Sequence, residues 1–501
     1  MRASTRQRRK SEPPVEGWRL TVGYLGVMLC IIGFMLLMPL VLLPFHMDEI
    51  AYAHCFYAPG LAAVVLGWLG WETIHARPKA PLAPGQDATV IVLTWMLAMT
   101  VGALPFLLTG SCRTFTQAVF ETMSGLSTTT FTVLDVERCP QLILLYRSAL
   151  LFFGGIGLVL IMVSAISDAH GLRIYTQEGH ANRLLPNLRR SALLVVRTYV
   201  LLIGVGTVLL TLCGMAPFDA LNHAVGAVAT GGFSTRNASV AAWDSPAIEV
   251  VLAILMLLGG TNSATLVALL GGRWRTWWRD AETRAYLGCA AACTLLVAMI
   301  LWAGSAIDSP LEALRASFFQ VVSAETTTGF QTVSSFHGWP ASARLVLIMA
   351  MVFGAESEST GGGIKQGRAA VLFRSVWWEV RRRGESRAVV HSDRMWRRGR
   401  RVAVSEDEQR EALTFAFVYL VALVAGSFVY TLHGVPIGDA VFHFASALST
   451  VGLGMGVTPA DAPPVILWTT TLGMFVGRLE FYPVFVAAGR AREAARQAIG
   501  R

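Results

Sequence analysis

Residues 318–332 read FFQVVSAETTTGFQT, with a long apolar segment on either side. A short apolar run with helical character ends in hydroxyl residues, then a glycine, then an aromatic. That order describes a re-entrant loop, in which a half-helix dips into the membrane and a non-helical tail returns. Irregular backbone is tolerated at membrane depth only where protein or a water-filled cavity lines it. Carbonyls released from other partners can then replace the hydration shell of a cation. One loop supplies only part of such a ring.

Three further copies are present. Residues 120–133 read FETMSGLSTTTFTV, 221–235 read LNHAVGAVATGGFST, and 441–456 read VFHFASALSTVGLGMG. Aligning the tails puts Thr130, Gly232, Gly329 and Gly452 in register. A repeat of roughly 100 residues in an apolar chain reads as copies of helix, pore loop, helix. Taken singly, each Thr/Gly-rich segment also reads as an ordinary turn. Four in register favour a ring around one axis.

Composition sets the class. The chain has 501 residues, 54% of them hydrophobic and 15% charged, and a mean hydropathy of +0.54. Soluble domains carry about 25% charged residues. The chain is therefore expected to be an all-α polytopic membrane protein. The expected architecture is ten transmembrane helices, with four helix–pore-loop–helix repeats around a central ion pore. The net charge of +9 sits in short loops between apolar spans, which argues against nucleic acid as a partner. The seven cysteines form no CxxC or Cys/His spacing.

In chain order, residues 1–19 form a basic cytoplasmic tail without the features of a secretory signal. Residues 20–75 hold two additional N-terminal spans, 20–45 and 51–71, each long enough to cross the bilayer core. Repeat one covers 88–167, with spans at 88–109 and 142–166. Repeat two covers 192–271, with spans at 192–215 and 247–270. Repeat three covers 285–380, with a span at 286–306 and a long segment at 343–378 that Gly354 to Gly363 interrupts. A basic cytoplasmic connector follows at 381–411. Repeat four covers 412–490, with spans at 413–432 and 465–488, and residues 491–501 form a second tail.

The positive-inside rule orients this scheme. With the N-terminus in the cytoplasm, the outer segments carry only Arg113, Arg138, Arg147, Arg236, Arg315 and Arg344. All four loops then enter from the outer side. The connector reads either as a simple topological anchor or as a docking surface for a cytosolic partner or anionic membrane lipids.

The short helices would aim their partially negative C-termini at the pore centre, which favours a cation there. Carbonyls and threonine hydroxyls without a carboxylate ring suit a weakly hydrated monovalent ion, K⁺ over Na⁺ and either over divalent ions. Glycine lets successive carbonyls aim inward. Thr130 in place of a glycine constrains that geometry and implies looser K⁺/Na⁺ discrimination.

Ionisable residues inside spans are costly and usually functional. Glu356, Glu358 and Lys365 lie in or beside the glycine-rich interruption, which reads as an intramembrane gate. Arg478 reads as an electrostatic barrier below the filter, or as the partner of Glu480 in a salt bridge. Glu325 either tunes the cavity or pairs with a nearby cation. Cys112 and Cys139 flank the first loop and could be disulfide-linked in an oxidising compartment. Cys289 and Cys293 read as packing residues.

In the motifs SGLSTTT, TGGFST, TTTGF, STGGGIK and GRLE, with YRS and GGIG, the chain resembles the Trk/Ktr/HKT superfamily of potassium transporters. It looks most like the TrkH-type membrane subunit, with two extra N-terminal helices, and the resemblance runs from about Leu20 to Arg492. The resemblance implies K⁺ binding at Thr128, Thr129, Thr230, Gly231, Gly232, Thr327, Thr328, Gly329, Thr450, Val451 and Gly452. It implies a gate at Gly354, Gly361, Gly362, Gly363 and Lys365, with Arg478 as the pore barrier. It further implies a homodimer with one pore per protomer in a bacterial inner membrane, and a peripheral cytosolic NAD(H)- or nucleotide-binding subunit of the TrkA kind. No covalent or nucleotide cofactor is expected in the chain itself. The sequence departs from the family's pattern at Thr130, at Glu325 and at Glu356 with Glu358.

The leading expectation is potassium uptake through a gated filter. The alternatives are a less selective Na⁺/K⁺ conductance, a secondary transporter with Glu325, Glu356 and Glu358 as proton or Na⁺ relays, and a sensor whose pore no longer conducts. No HExxH, GxSxG or nucleophile–base spacing points to an enzyme.

Overall fold

The computed structural model describes residues 15–75, 77, 79–80, 82–157, 188–384, 394–397 and 400–499. Helices dominate. The N-terminal pair, α1 (Gly17–Leu37) and α2 (His54–Glu72), packs through small residues that let the backbones approach. A Cβ on Gly26 would lie 2.6 Å from the Gly67 carbonyl, and one on Gly33 2.7 Å from that of Gly60.

Four long outer helices each lead into a short one. The outer set is α3 (Gln86–Gly102), extended by α4 (Leu104–Leu108), then α7 (Leu188–Leu212), α12 (Ala281–Ala303) and α16 (Glu406–Leu432). The short set is α5 (Phe115–Leu126), α8 (Pro217–Ala229), α13 (Pro310–Glu325) and α17 (Ile437–Leu448). Local sequence starts each short helix. Thr114 and Gln117 form a reciprocal capping box on α5. Ser309 caps α13 ahead of Pro310, and α8 opens on Pro217 with Asp219 in its first turn.

The inner helices following the tails are α6 (Gln141–Ile156), α9 (Pro246–Gly259), α14 (Ala341–Phe353) and α18 (Pro464–Arg478). Each has 13 to 16 residues, about 20–24 Å at 1.5 Å per residue, and so falls short of the roughly 30 Å bilayer core. After α9 the chain bends by 119° into α10 (Ser263–Leu270), and after α18 by 106° into α19 (Tyr482–Ile499). The spans expected at 247–270 and 465–488 are thus each two helices. The cause is a glycine packed under the end of a short helix. A Cβ on Gly259 would lie 2.5 Å from the Val228 carbonyl, and Cβ atoms on Gly154 and Gly477 would overlap the carbonyls of Leu126 and Leu448.

The expected interruption at Gly354 to Gly363 is present as a longer break, between α14 and α15 (Gln366–Gly384). The part of the 142–166 span beyond 157 lies outside the described residues. Among the described residues, five helices are long and apolar enough to cross a membrane, or seven if each bent pair is one span, against the ten expected. The bends divide the spans expected at 247–270 and 465–488 and the break divides 343–378, while the described part of 142–166 ends at 157 and the unbroken α2 is not among the helices that pass.

A short helix, α11 (Trp274–Trp278), precedes α12. The connector contains an antiparallel hairpin that the sequence reading did not anticipate, β1 (Arg394–Arg397) with β2 (Arg400–Ala403). It is held because Met395 buries against Val371, Trp378, Val404 and Ala412.

On α16, Phe417, Leu420, Val421, Val424 and Phe428 are exposed along one face. On α7, Leu201, Val205, Val208 and Leu212 are exposed likewise. Apolar stripes this long on helices of mean hydropathy above 2 face lipid. The protein is a multi-pass membrane protein.

Candidate ion pathway

The tails of the four short helices share one backbone device. Thr128, Thr230, Thr327 and Thr450 all adopt left-handed φ, at 61°, 51°, 56° and 55°. Two residues on, Thr130, Gly329 and Gly452 are left-handed again, at 66°, 90° and 98°, whereas Gly232 is not. Alternating hand turns successive carbonyls to one side of the tail. The intervening amides bond backwards onto the short helices. Thr129 N and Thr130 N reach Ser124 O at 3.0 and 3.2 Å. Gly231 N reaches Gly226 O, Thr328 N reaches Ser323 O and Val451 N reaches Ser446 O, at 2.8, 2.9 and 2.8 Å. Among the described residues, no hydrogen bond occupies the carbonyls of Thr129, Gly231, Thr328 or Val451.

The tails pack into a closed ring. Across the first seam, Gly232 N donates to Thr130 Oγ1 at 3.1 Å. A Cβ on Gly232 would lie 2.7 Å from Thr328 O, one on Gly329 would overlap Val451 O, and one on Gly452 would overlap Thr129 O. Every expected filter residue therefore sits in this ring. Thr130 Oγ1 lies 3.1 Å from where a Gly329 Cβ would be and 2.6 Å from that of Gly452, so this hydroxyl reaches across the mouth. Above the ring is a cavity of about 420 Å³, lined by Thr130, Gly232, Gly329 and Gly452 among others.

The break between α14 and α15 lies directly beneath. Thr230 Oγ1 donates to Thr360 Oγ1 at 2.9 Å, and Gly362 N donates to Thr327 Oγ1 at 2.8 Å. Lys365 Nζ donates to Gly361 O at 2.5 Å. Arg478 Nη1 donates to Thr360 O at 2.9 Å, while Nη2 reaches the carbonyls of Gly154 and Gly155. The cavity bounded by Gly361, Gly362, Lys365, Thr450 and Arg478 measures only about 40 Å³. At about 10–15 Å³ per water centre it admits a few waters and no wide hydrated path. The expected gate residues are thus gathered under the ring, with Gly354 at the start of the break.

Other polar groups fix that loop. One Glu282 oxygen accepts from Ser357 N at 2.5 Å and Gly367 N at 2.8 Å, holding both ends. Glu356 accepts from Asn262 N at 2.8 Å, and Asn262 Nδ2 donates to Ser357 O at 2.7 Å. Ser263 Oγ donates to the Glu358 carbonyl at 2.8 Å. Glu325 takes the Gln366 amide at 2.9 Å, not a lysine or arginine. Glu480 pairs with Arg368 at 2.5 Å. Cys112 and Cys139 are free thiols. Sequence reasoning missed Glu282 and Asn262, since an acid in a helix's first turn and an asparagine cap carry no mark of a distant loop.

A family model described as TrkH, cation transport protein, matches residues 59–496. The chain belongs to the TrkH family. The family is one of transport proteins, not enzymes. The chain is 33% identical over 436 residues to the Trk system potassium uptake protein TrkH of Salmonella typhimurium, covering 85% of this chain and 89% of that one. Identity to the protein of the same name from Escherichia coli K12 is 32% over the same coverage. The fold matches the crystal structure of the potassium transporter TrkH from Vibrio parahaemolyticus with a TM-score of 0.83 at 26% identity, covering 94% of this chain and 98% of that one.

Proposed function

We propose that this TrkH-family chain carries K⁺ into a bacterial cell across the inner membrane, through a filter built from four helix–pore-loop–helix repeats. The observation that carries the reading is the ring of tails, with four left-handed threonines in register and carbonyls that no hydrogen bond occupies among the described residues. Relatives named as potassium uptake proteins support K⁺ as the cargo. Thr128, Thr129, Thr230, Gly231, Gly232, Thr327, Thr328, Gly329, Thr450, Val451 and Gly452 would replace the ion's water. Gly354 to Gly363, with Lys365 and Arg478, form the gate, closed here. The N-terminus is cytoplasmic. The working unit is a homodimer with one pore per protomer, and a cytosolic nucleotide-binding subunit of TrkA type releases the gate. A less selective Na⁺/K⁺ conductance is the second reading, favoured by the Thr130 hydroxyl across the mouth.

The test is ⁸⁶Rb⁺ uptake into proteoliposomes holding the purified protein with and without its nucleotide-binding partner, in competition with K⁺ or Na⁺. Uptake blocked by K⁺ and weakly by Na⁺ supports the first reading, and equal block supports the second. No uptake in either preparation rejects both.

A further inference from the structure

Seven residues before its first left-handed threonine, each short helix carries one buried polar side chain: Glu121, His223, Gln320 and His443. Each turns back to hold the outer return of its own tail. Glu121 accepts from Thr132 Oγ1 at 2.9 Å and from Val133 N at 3.2 Å. His223 donates from Nδ1 to Asp219 O at 2.7 Å, which leaves Nε2 to accept from Ser234 Oγ at 2.9 Å. Gln320 Nε2 donates to Thr332 Oγ1 at 3.0 Å, and Met455 N donates to His443 Nδ1 at 3.4 Å.

The first position differs from the rest in carrying a charge. Arg147, on α6, donates from Nε to Glu121 at 3.0 Å, with both side chains buried. The same guanidinium donates from Nη1 to Ser234 O at 3.1 Å and lies 3.7 Å over the Phe233 ring. Phe233 follows Gly232, and Ser234 is the residue His223 holds. One group thus ties the support of the first tail to that of the second. The seam it braces is the one where Thr130 Oγ1 meets Gly232 N, in the tail that lacks a glycine.

We infer that the Glu121–Arg147 pair is a selectivity-positioning element, setting the width of the ring at the seam between the first and second tails. This rests on the reading of the tails as an ion filter. Neither residue touches the ion. Charge-assisted hydrogen bonds are shorter and stiffer than neutral ones. Buried pairs act better as devices of conformational specificity than as sources of net stability. A ring that separates ions differing by a fraction of an ångström needs such a brace where its own backbone is irregular. The acid also neutralises a cation at a mouth that Arg236 lines as well, itself paired with Asp219.

Two variants test this in the ⁸⁶Rb⁺ assay. Glu121→Gln with Arg147→Gln removes both charges together, so neither is left alone in the interior. Arg147→Lys keeps the charge beside Glu121 and drops the stacking on Phe233 and the reach to Ser234. Each is compared with wild type at equal amounts of monodisperse protein. The expected result is that Rb⁺ still passes while the ratio of K⁺ to Na⁺ inhibition constants shifts toward Na⁺ by roughly fivefold, the worth of one net hydrogen bond. A wild-type ratio in either folded variant overturns the inference, whatever the loss of yield, because a merely structural pair alters amount and not selectivity. If the double variant does not fold, Arg147→Lys decides alone. Wild type that passes no Rb⁺ in either preparation overturns the filter reading and this inference with it; wild type that passes Rb⁺ beside an unchanged ratio overturns the inference only.

Discussion

Thr130 holds a left-handed φ of 66° where Gly329 and Gly452 have 90° and 98°. A residue with a Cβ pays about 1–2 kcal/mol for that conformation. The surroundings enforce it, since its amide is held by Ser124 O and its hydroxyl by Gly232 N. Thr130→Gly relieves the strain but adds about 0.5–1 kcal/mol of chain entropy to lose on folding. Thermal stability is therefore expected to stay nearly level, while the K⁺ over Na⁺ preference rises as the hydroxyl leaves the mouth. A melting curve beside ion competition checks both, and an unchanged preference would remove Thr130 from the selectivity argument. Gly452 allows no such exchange. Its φ of 98° disfavours any Cβ, and the atom would overlap Thr129 O. Gly452→Ala is expected to abolish uptake, whereas Gly454→Ala, whose Cβ would meet the Phe131 ring at an ordinary 3.4 Å, should be tolerated. Equal activity in the two would contradict the ring.

The gating break behaves as a tethered element. Arg478 joins Thr360 of the loop to the end of α6, and Glu282 clamps the loop's ends through two amides. Arg478→Ala is expected to raise Rb⁺ flux in the absence of any partner, because the tether and the barrier are lost together. Flux at or below wild type would place the barrier elsewhere. Glu282→Gln replaces a charged acceptor with a neutral one and should cost about 1–3 kcal/mol, read as a lower denaturation midpoint. How much of this the sequence shows depends on the kind of signal. Three successive glycines mark the break at Gly361 to Gly363, because a helix pays about 1 kcal/mol for each. The tails are legible too, since hydroxyl and glycine runs stand out against apolar flanks. The bends after Gly259 and Arg478 are less so, because the polar residues there, Thr261 and Asn262 or Arg478 and Glu480, sit in segments that stay apolar overall, and the cause is a carbonyl from another helix. Arg147 counts in the sequence only as one outer charge, since its partner Glu121 is 26 residues away and on a different helix.

At the scale of the whole molecule, one large buried cluster joins the N-terminal pair to repeats one and two and reaches Phe319, Phe330, Leu467 and Met474 of repeats three and four, and a second lies within repeats three and four. The ring of tails and the Arg478 tether join them. Orientation of this body in the bilayer can be read from Cys139, which lies between the first tail and α6. Burial, with Glu121 and Asp135 nearby and against the opposing pull of Arg147, pushes its thiol up to about 11. Only the thiolate reacts with a maleimide, and an ordinary thiol has a pKa of about 8.5. In a variant keeping Cys139 as its single cysteine, a membrane-impermeant maleimide is expected to label from the outer side of intact cells. The rate should climb about tenfold for each pH unit from 7 to beyond 9, where an ordinary thiol would already level off. The sign follows from the raised value, since the neutral thiol persists to higher pH and the reactive fraction keeps growing. Labelling only from inverted vesicles would reverse the proposed topology and put the ring's mouth in the cytoplasm. A plateau near pH 9 with labelling from outside would keep the topology and show that the loop around Cys139 opens to water.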